Sequence, residues 1–354
     1  MKMKMKRTIT FMTAGLILLT LAGCEGKTND KTITNIDGAK INVPEKAERI
    51  AAVYGPSYEA VVALGDEDKV VVRADVQTDS LPWATKVFKR IRTLPYLKNV
   101  HTGVNTEEVL KYNPDIIFGF PRPNEIKKLE DAGVAVVPGT STGKLSDTPD
   151  LLMVYAQALG ESEVERAKAY ADYFDQKMSM VKSVTEKIPE VDRPKVYYAG
   201  VDLLTTYGKY SDLPELIEAA GGQAVSKDLE AGNRSQITFE QLAAWNPDFI
   251  FIDHGGINDS STVEKIMADT YADGRYNQIS AVAHKQIYLS PSGVFYWDMG
   301  LQKILLLMQV AKILHPDAFP DLDMVKEVKA FYTQFYQYNL TDDEARKLLN
   351  RQNP

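Results

Sequence analysis

Apolar residues recur at steps of three and four from Val164 through Ala167, Tyr170, Phe174, Met178, Val181 and Val184 to Ile188, a spacing that predicts one long amphipathic helix over 162–188. Ser162 and Glu165 form a capping-box pair at its start. Glu163 and Glu165 favour the positive end of the helix dipole, Lys182 and Lys187 the negative end. Gly160 closes the segment before it, and Pro189 and Pro194 forbid continuation. At 1.5 Å per residue the helix would run roughly 40 Å, more than one small domain needs. It lies near the middle of the chain and reads as a strut between two lobes.

On both sides of it strands alternate with helices. The first half opens with a hairpin, 32–35 and 40–43 around Asp37-Gly38. Strands follow over 49–54, 69–73, 115–119 and 134–137, with helices over 58–64, 107–112 and 124–132 and a long loop carrying Trp83, Phe88, Arg90 and Arg92. After a helix over 148–159 and the strut, the pattern restarts. Strands are expected at 195–199, 249–253 and 286–289, helices at 213–220 and 239–245, and then helices alone at 299–314, 324–338 and 341–350. The fold class is therefore α/β: two Rossmann-like α/β lobes bridged by a single long α-helix. The expected boundaries are 32–147 for the N-terminal lobe, 148–192 for the linker helices, and 193–354 for the C-terminal lobe with its C-terminal helices. An internal echo supports two related lobes. Residues 105–118 align without gaps on 238–251, sharing Glu, Asn-Pro-Asp, Ile and Phe. In each copy proline stops a helix and launches a buried strand.

Composition changes this picture at one end. Lys2, Lys4, Lys6 and Arg7 precede an apolar run over 9–21, too short to span a bilayer comfortably, and Leu21-Ala22-Gly23-Cys24 ends it. Residues 1–23 read as a lipoprotein signal peptide resembling a bacterial lipobox, with Cys24, the only cysteine, as the lipidated residue, and 24–31 as a polar tether. The expected partner there is the membrane, reached through lipid such as palmitate on Cys24. The net charge of −7 argues against a nucleic-acid partner. The rest has the balance of a globular protein, 44% hydrophobic and 25% charged.

Catalytic motifs are thin. The chain has no HExxH, and Gly139-Thr-Ser-Thr-Gly143-Lys144 is one residue short of a phosphate loop. It reads as a polar loop before a helix, and the chain as no enzyme. Ligands of α/β sheets bind beyond the carboxyl ends of strands. That rule selects Tyr54, Arg73, Phe120 and Arg122 in the first half, and Tyr198, Tyr207, Tyr296 and Trp297 in the second, with Trp83 from the long loop. His254 stands out among four histidines because it follows a strand and precedes Gly255-Gly256. Aromatics mixed with arginines suit a bulky, partly apolar, anionic chelate.

Val43-Pro44 before Arg49-Ile50, Ala63-Leu64-Gly65, both Asn-Pro-Asp units, Ala220-Gly221-Gly222 and the stretch from Ala311 to Phe319 together resemble the substrate-binding proteins of bacterial ABC importers for iron–siderophore complexes, haem and cobalamin. The resemblance covers nearly all of the chain after the signal. It implies a monomeric receptor on the extracytoplasmic face that binds its ligand between its lobes, and it does not fix the ligand; the reading taken here is a metal chelate, most simply a ferric siderophore. It implies no cofactor, and delivery to a permease and its ATPase. Docking would use one acidic residue per lobe, Glu125 and Glu264. Two readings of His254 stay open: a hydrogen bond or stacking surface for a saturated chelate, or a direct metal ligand for haem, cobalamin or another open complex. An enzyme using Asp253 and His254 on the same scaffold is the other alternative.

Overall fold

The computed structural model describes residues 30–354 except 76–80, 99, 101–102, 121, 201, 233 and 254–262. Cys24 and His254 therefore lie outside the described residues. The hairpin forms from β1 (Asp30–Thr34) and β2 (Lys40–Pro44), with Gly38 at φ +85° in its turn. The first lobe is a parallel five-stranded sheet in the order β5 (Tyr96–Leu97), β4 (Val70–Ala74), β3 (Ile50–Ala52), β6 (Ile116–Gly119), β7 (Ala135–Pro138). Its helices are α1 (Gly55–Leu64), α2 (Pro82–Val87), α3 (Thr106–Leu110) and α4 (Pro123–Asp131). The short strands are apolar on both faces, as sheets covered by helices on both sides require.

After α5 (Asp147–Leu159) and α6 (Glu161–Thr185), the second lobe builds a parallel core from β8 (Lys195–Ala199), β12 (Phe249–Ile252) and β13 (Ile287–Leu289). Short strands complete that sheet: β9 (Thr205–Thr206), β10 (Gln223–Ala224) and β11 (Ser235–Gln236). Its helices are α7 (Leu213–Ala219), α8 (Phe239–Trp245), α9 (Val263–Ala272), α10 (Ser280–Ala283) and α11 (Lys303–Leu314). The chain ends in α12 (Met324–Tyr336) and α13 (Asp342–Leu349), the latter capped by Thr341 with Glu344.

The strut is α6, 25 residues long, about 38 Å at 1.5 Å per residue. Its predicted capping box does not form. Gly160 ends α5 and starts α6 at once, so Ser162 falls inside the first turn and its hydroxyl donates to Glu163 Oε1 at 2.8 Å. The buried face runs through Ala167, Tyr170, Tyr173, Phe174, Val181 and Thr185, while Val164 and Val184 are half-buried. A second difference concerns the C-terminal helices, expected with the second lobe. They pack across onto the first. α12 lies against α1, Phe88 meets Tyr336 edge-on at 5.5 Å, Trp83 Nε1 donates to Gln352 O at 2.9 Å, and Lys86 pairs with Glu344 at 2.5 Å.

The Asn-Pro-Asp echo has one physical cause in both lobes. Asn113 and Asn246 sit in the left-handed region at φ +45° and +44°, a conformation asparagine tolerates at a helix end. The aspartate then binds the backbone entering the neighbouring strand. Asp115 Oδ2 accepts from Glu48 N and Arg49 N at 2.8 and 2.9 Å, and Asp248 Oδ2 accepts from Lys195 N at 2.9 Å. Asp115→Ala and Asp248→Ala are each expected to cost about 1–2 kcal/mol in urea unfolding, because each removes charge-assisted hydrogen bonds, two at Asp115 and one at Asp248, that fix a sheet entrance. Two unchanged midpoints would show that the turn alone launches the strand.

Candidate functional site

The site is assembled where strand ends of the two lobes meet. α1 begins three residues earlier than the hydrophobic pattern predicts, because Pro56 suits a first helical turn and Ser57 closes it: Ser57 Oγ donates to Tyr54 O at 2.6 Å and accepts from Tyr54 N at 3.2 Å. This fixes Tyr54 at the end of β3 with its ring edge-on to Phe120, 4.6 Å between centroids. Gly139 follows β7. A Cβ there would come within 2.5 Å of the Tyr54 ring, so glycine is what lets the ring lie flat on this wall.

The loop that resembles a phosphate cradle is filled by the protein's own anion. Asp147 Oδ2 accepts from the backbone N–H of Thr142, Gly143 and Lys144 and from Ser141 Oγ, and Oδ1 accepts from Thr142 Oγ1. Burial disfavours this charge, but the converging hydrogen bonds outweigh it and hold the carboxyl below its ordinary range. The same loop reaches the other lobe. Gly143 is at φ +79°, its position leaves no room for a Cβ beside Tyr210 O, and Leu145 N donates to Glu215 Oε2 at 2.7 Å.

Between these walls lies a cavity of about 280 Å³. Tyr54, Phe120 and Tyr155 face it from the first lobe and its linker, and Tyr207, Tyr210 and Phe295 from the second. Its charged lining is Asp147, Asp212 and Asp298 against Arg234 and Lys303. Both cations are paired. Lys303 bonds Asp212, and Arg234 NH2 stands 3.4 Å from Asp253 Oδ2, which also accepts from the Tyr207 hydroxyl. Burial first, then the charge of Asp253, pushes the Tyr207 phenol well above its usual range, so it stays protonated. Among the described residues no cluster of three or more His, Cys, Asp or Glu side chains could hold a metal ion.

Three of the sequence-selected residues, Tyr54, Phe120 and Tyr207, line this cavity. Arg73 does not. Its buried guanidinium donates to Ile91 O at 3.0 Å and Ala74 O at 2.9 Å. Trp83 is taken up by the C-terminal helices, as described above. Arg122 is outside the lining, donating to Val100 O at 2.8 Å and lying 4.7 Å over the Phe120 ring. Tyr198 packs into the sheet layer between Tyr207 and Phe251. Tyr296 and Trp297 are buried out of the lining, and the neighbouring Phe295 faces the cavity in their place. With Arg73 and Arg122 elsewhere, the expected arginine-rich, anion-favouring site is not what these residues form. Glu125 pairs with Arg122 at 3.4 Å and accepts from Val104 N at 3.1 Å, and Glu264 pairs with Arg351 at 3.3 Å. His284 and His315 hold backbone carbonyls, of Ser280 and Gly221, each at 3.0 Å. Sequence reasoning missed Asp147, Tyr155, Asp212, Arg234 and Lys303. The short match to a phosphate loop was the one available signal, since it marks the turn that Asp147 fills.

A family model described as "Periplasmic binding protein" matches residues 50–293. The molybdate-binding protein MolA of Haemophilus influenzae is 25% identical over 90% of this chain and 94% of its own. A vitamin B12-binding protein of Vibrio campbellii is 23% identical over 62% of this chain and 75% of its own. The crystal structure of a periplasmic solute binding protein from Veillonella parvula superposes with a TM-score of 0.74 at 27% identity, covering 91% of this chain and 97% of that one. Among the described residues no helix is long and apolar enough to cross a membrane. Two α/β lobes on one long helix, a cavity between them and a family match across both lobes lead to one conclusion: the chain belongs to the periplasmic binding protein family, as the extracytoplasmic substrate-binding protein of an ABC importer.

Proposed function

We propose that the cavity takes a metal chelate of neutral or positive charge, a ferric siderophore of the hydroxamate type being the form that fits best, and that the protein hands it to a permease. The observation that carries this reading is the charge of the lining: three carboxylates against two cations that are already paired. A small multiply charged anion would find Lys303 already bonded to Asp212 and Arg234 already bonded to Asp253, so that neither lining cation is uncommitted. A tris-hydroxamate cancels the charge of Fe³⁺, and its apolar spacers suit walls of tyrosine and phenylalanine. At about 280 Å³ the cavity lies near the lower end of the roughly 300–1,000 Å³ typical of small-molecule sites, so a siderophore would sit partly in the open cleft mouth. The molybdate-binding relative favours a second reading, a compact oxyanion held by hydroxyl and backbone donors. Mass spectrometry of protein purified with its ligand under native conditions separates the two. A co-purifying ferric chelate is the expected result, and molybdate in that position sinks the proposal.

Two further parts of the reading concern placement. Lipid on Cys24 is proposed to hold the receptor at the membrane, since a single acylated cysteine is the anchor the sequence offers. Cys24→Ala is expected to move the protein from the membrane fraction to the soluble one, and a variant that stays with membranes contradicts it. Glu125 and Glu264 are proposed as permease contacts. Each is held by one arginine in the structure, at 3.4 and 3.3 Å, which a permease arginine would have to displace or join.

A further inference from the structure

The second lobe offers the cavity a carboxylate with one oxygen left open. Asp212 precedes α7, where an aspartate ordinarily accepts from the backbone of the first turn. It makes no such bond. Pro214 has no N–H to give, and Leu213 N donates to Ser211 Oγ at 3.3 Å instead. The carboxylate belongs to the cavity lining and is 14% exposed. Buried Lys303 bonds its Oδ2. Among the described residues no donor meets Oδ1, which is open to solvent.

The surroundings favour a cation at that oxygen. The described lining holds three carboxylates and two cations, and both cations come from the second lobe and are bonded to carboxylates already. The first lobe and its linker add none among the described residues. Across the cavity stands Tyr54. Burial first, then the charge of Asp212, push its phenol up to about 12, so it stays neutral and presents an aromatic wall. We propose that Asp212 is a specificity-determining residue whose Oδ1 accepts from a cationic N–H group of the bound ligand. The selected chelate then carries a pendant ammonium, as a neutral ferric tris-hydroxamate core with one protonated amine does. Lys303 holds the carboxylate by its other oxygen, and the ligand's ammonium makes a charge-assisted bond in the water-poor cleft. This deepens the chelate reading above and rests on it.

The test compares ferrioxamine B, a linear ferric tris-hydroxamate with a terminal ammonium, with its N-acetylated form, which differs by one acetyl group and lacks the charge. Both are titrated calorimetrically into wild type, into Asp212→Asn and into the double variant Asp212→Asn with Lys303→Met. The double variant removes the ion pair whole, so it keeps the net charge of the lining and leaves no buried lysine without a partner. The expected result is that wild type binds the cationic form ten-fold or more tightly than the acetylated one, and that both variants bind the two forms equally. Equal binding by wild type overturns the inference and leaves the chelate reading standing. A preference that survives in either variant also overturns it, because the net charge of the lining or another carboxylate would then be the cause. If one variant fails to fold, the other is read in its place. Binding of neither form removes the chelate reading, and this inference with it.

Discussion

Glu59→Ala is expected to lower the unfolding free energy by about 3–5 kcal/mol. Glu59 is fully buried on α1, and its carboxylate is the point where three separate parts of the fold are tied together. It accepts from Leu301 N at 3.1 Å, from Gln302 Nε2 at 3.0 Å and from the hydroxyl of Tyr336. Gln302 in turn accepts from Tyr332 at 2.8 Å, and Tyr170 of the long helix donates to Leu301 O at 2.7 Å. Truncation leaves three buried donors without an acceptor, which is far more costly than the net worth of three hydrogen bonds. Gly300 is part of the same arrangement, since a Cβ there would collide with Glu59 Oε2.

The same residue predicts how stability depends on pH. Burial dominates and lifts the carboxyl from 4.5 to about 7, against the pull of its hydrogen bonds. Between those two values the native state holds the proton and the unfolded chain does not, so the native state binds more protons and stability falls as pH rises through the window. The contribution is whole below about pH 4.5 and lost above about pH 7, a change of about 3 kcal/mol. Urea unfolding of the wild type at pH 5.5 and 8 captures about 2 kcal/mol of it. Glu59→Ala should be less stable at both values and lack this part of the slope. A variant that keeps the wild-type slope would assign the dependence to other groups.

Gly143→Ala is the second large effect, and it acts on binding. Alanine at φ +79° carries a backbone strain of about 1 kcal/mol, and its Cβ would lie 2.7 Å from the carbonyl oxygen of Tyr210, which cannot swing aside as a side-chain end could. Relief requires the 139–145 loop to draw away from the segment 207–213, and these two form facing walls of the cavity. The expected outcome is a loss of ten-fold or more in ligand affinity with a modest fall in melting temperature, read by calorimetric titration and thermal unfolding on one preparation. Unimpaired affinity would show that the cleft tolerates opening at this edge.

How far these features were legible in the sequence depends on the kind of signal each leaves. Strands that alternate with helices, the long helix and the Asn-Pro-Asp echo all leave periodic or repeated patterns, and the two-lobed architecture followed from them. The cavity does not, because strand ends locate a side chain only to within a residue or two and say nothing of its direction. Arg73 and Arg122 stand at strand ends yet turn back to carbonyls of their own lobe. Phe295 and Tyr296 are adjacent, and which of them faces the ligand is set by a turn over 296–302 that reads in sequence as the start of a helix. Tyr155 lies at core spacing in a helix and is indistinguishable there from a packed tyrosine. Arg234 precedes a two-residue strand, too short to show any period. The crossing of α12 onto the first lobe is tertiary information of the same kind, since no local pattern states which lobe a helix will cover.

The central claim, that the cleft of this receptor selects a chelate without net negative charge, is tested most directly by calorimetric titration of the purified protein with three probes at one pH and ionic strength: a neutral ferric tris-hydroxamate complex, a ferric tris-catecholate carrying three negative charges, and molybdate. The carboxylate excess of the lining predicts tight binding of the neutral complex, with the catecholate and the oxyanion weaker by at least ten-fold. Molybdate or the catecholate binding as tightly as the hydroxamate complex, or more tightly, would contradict it.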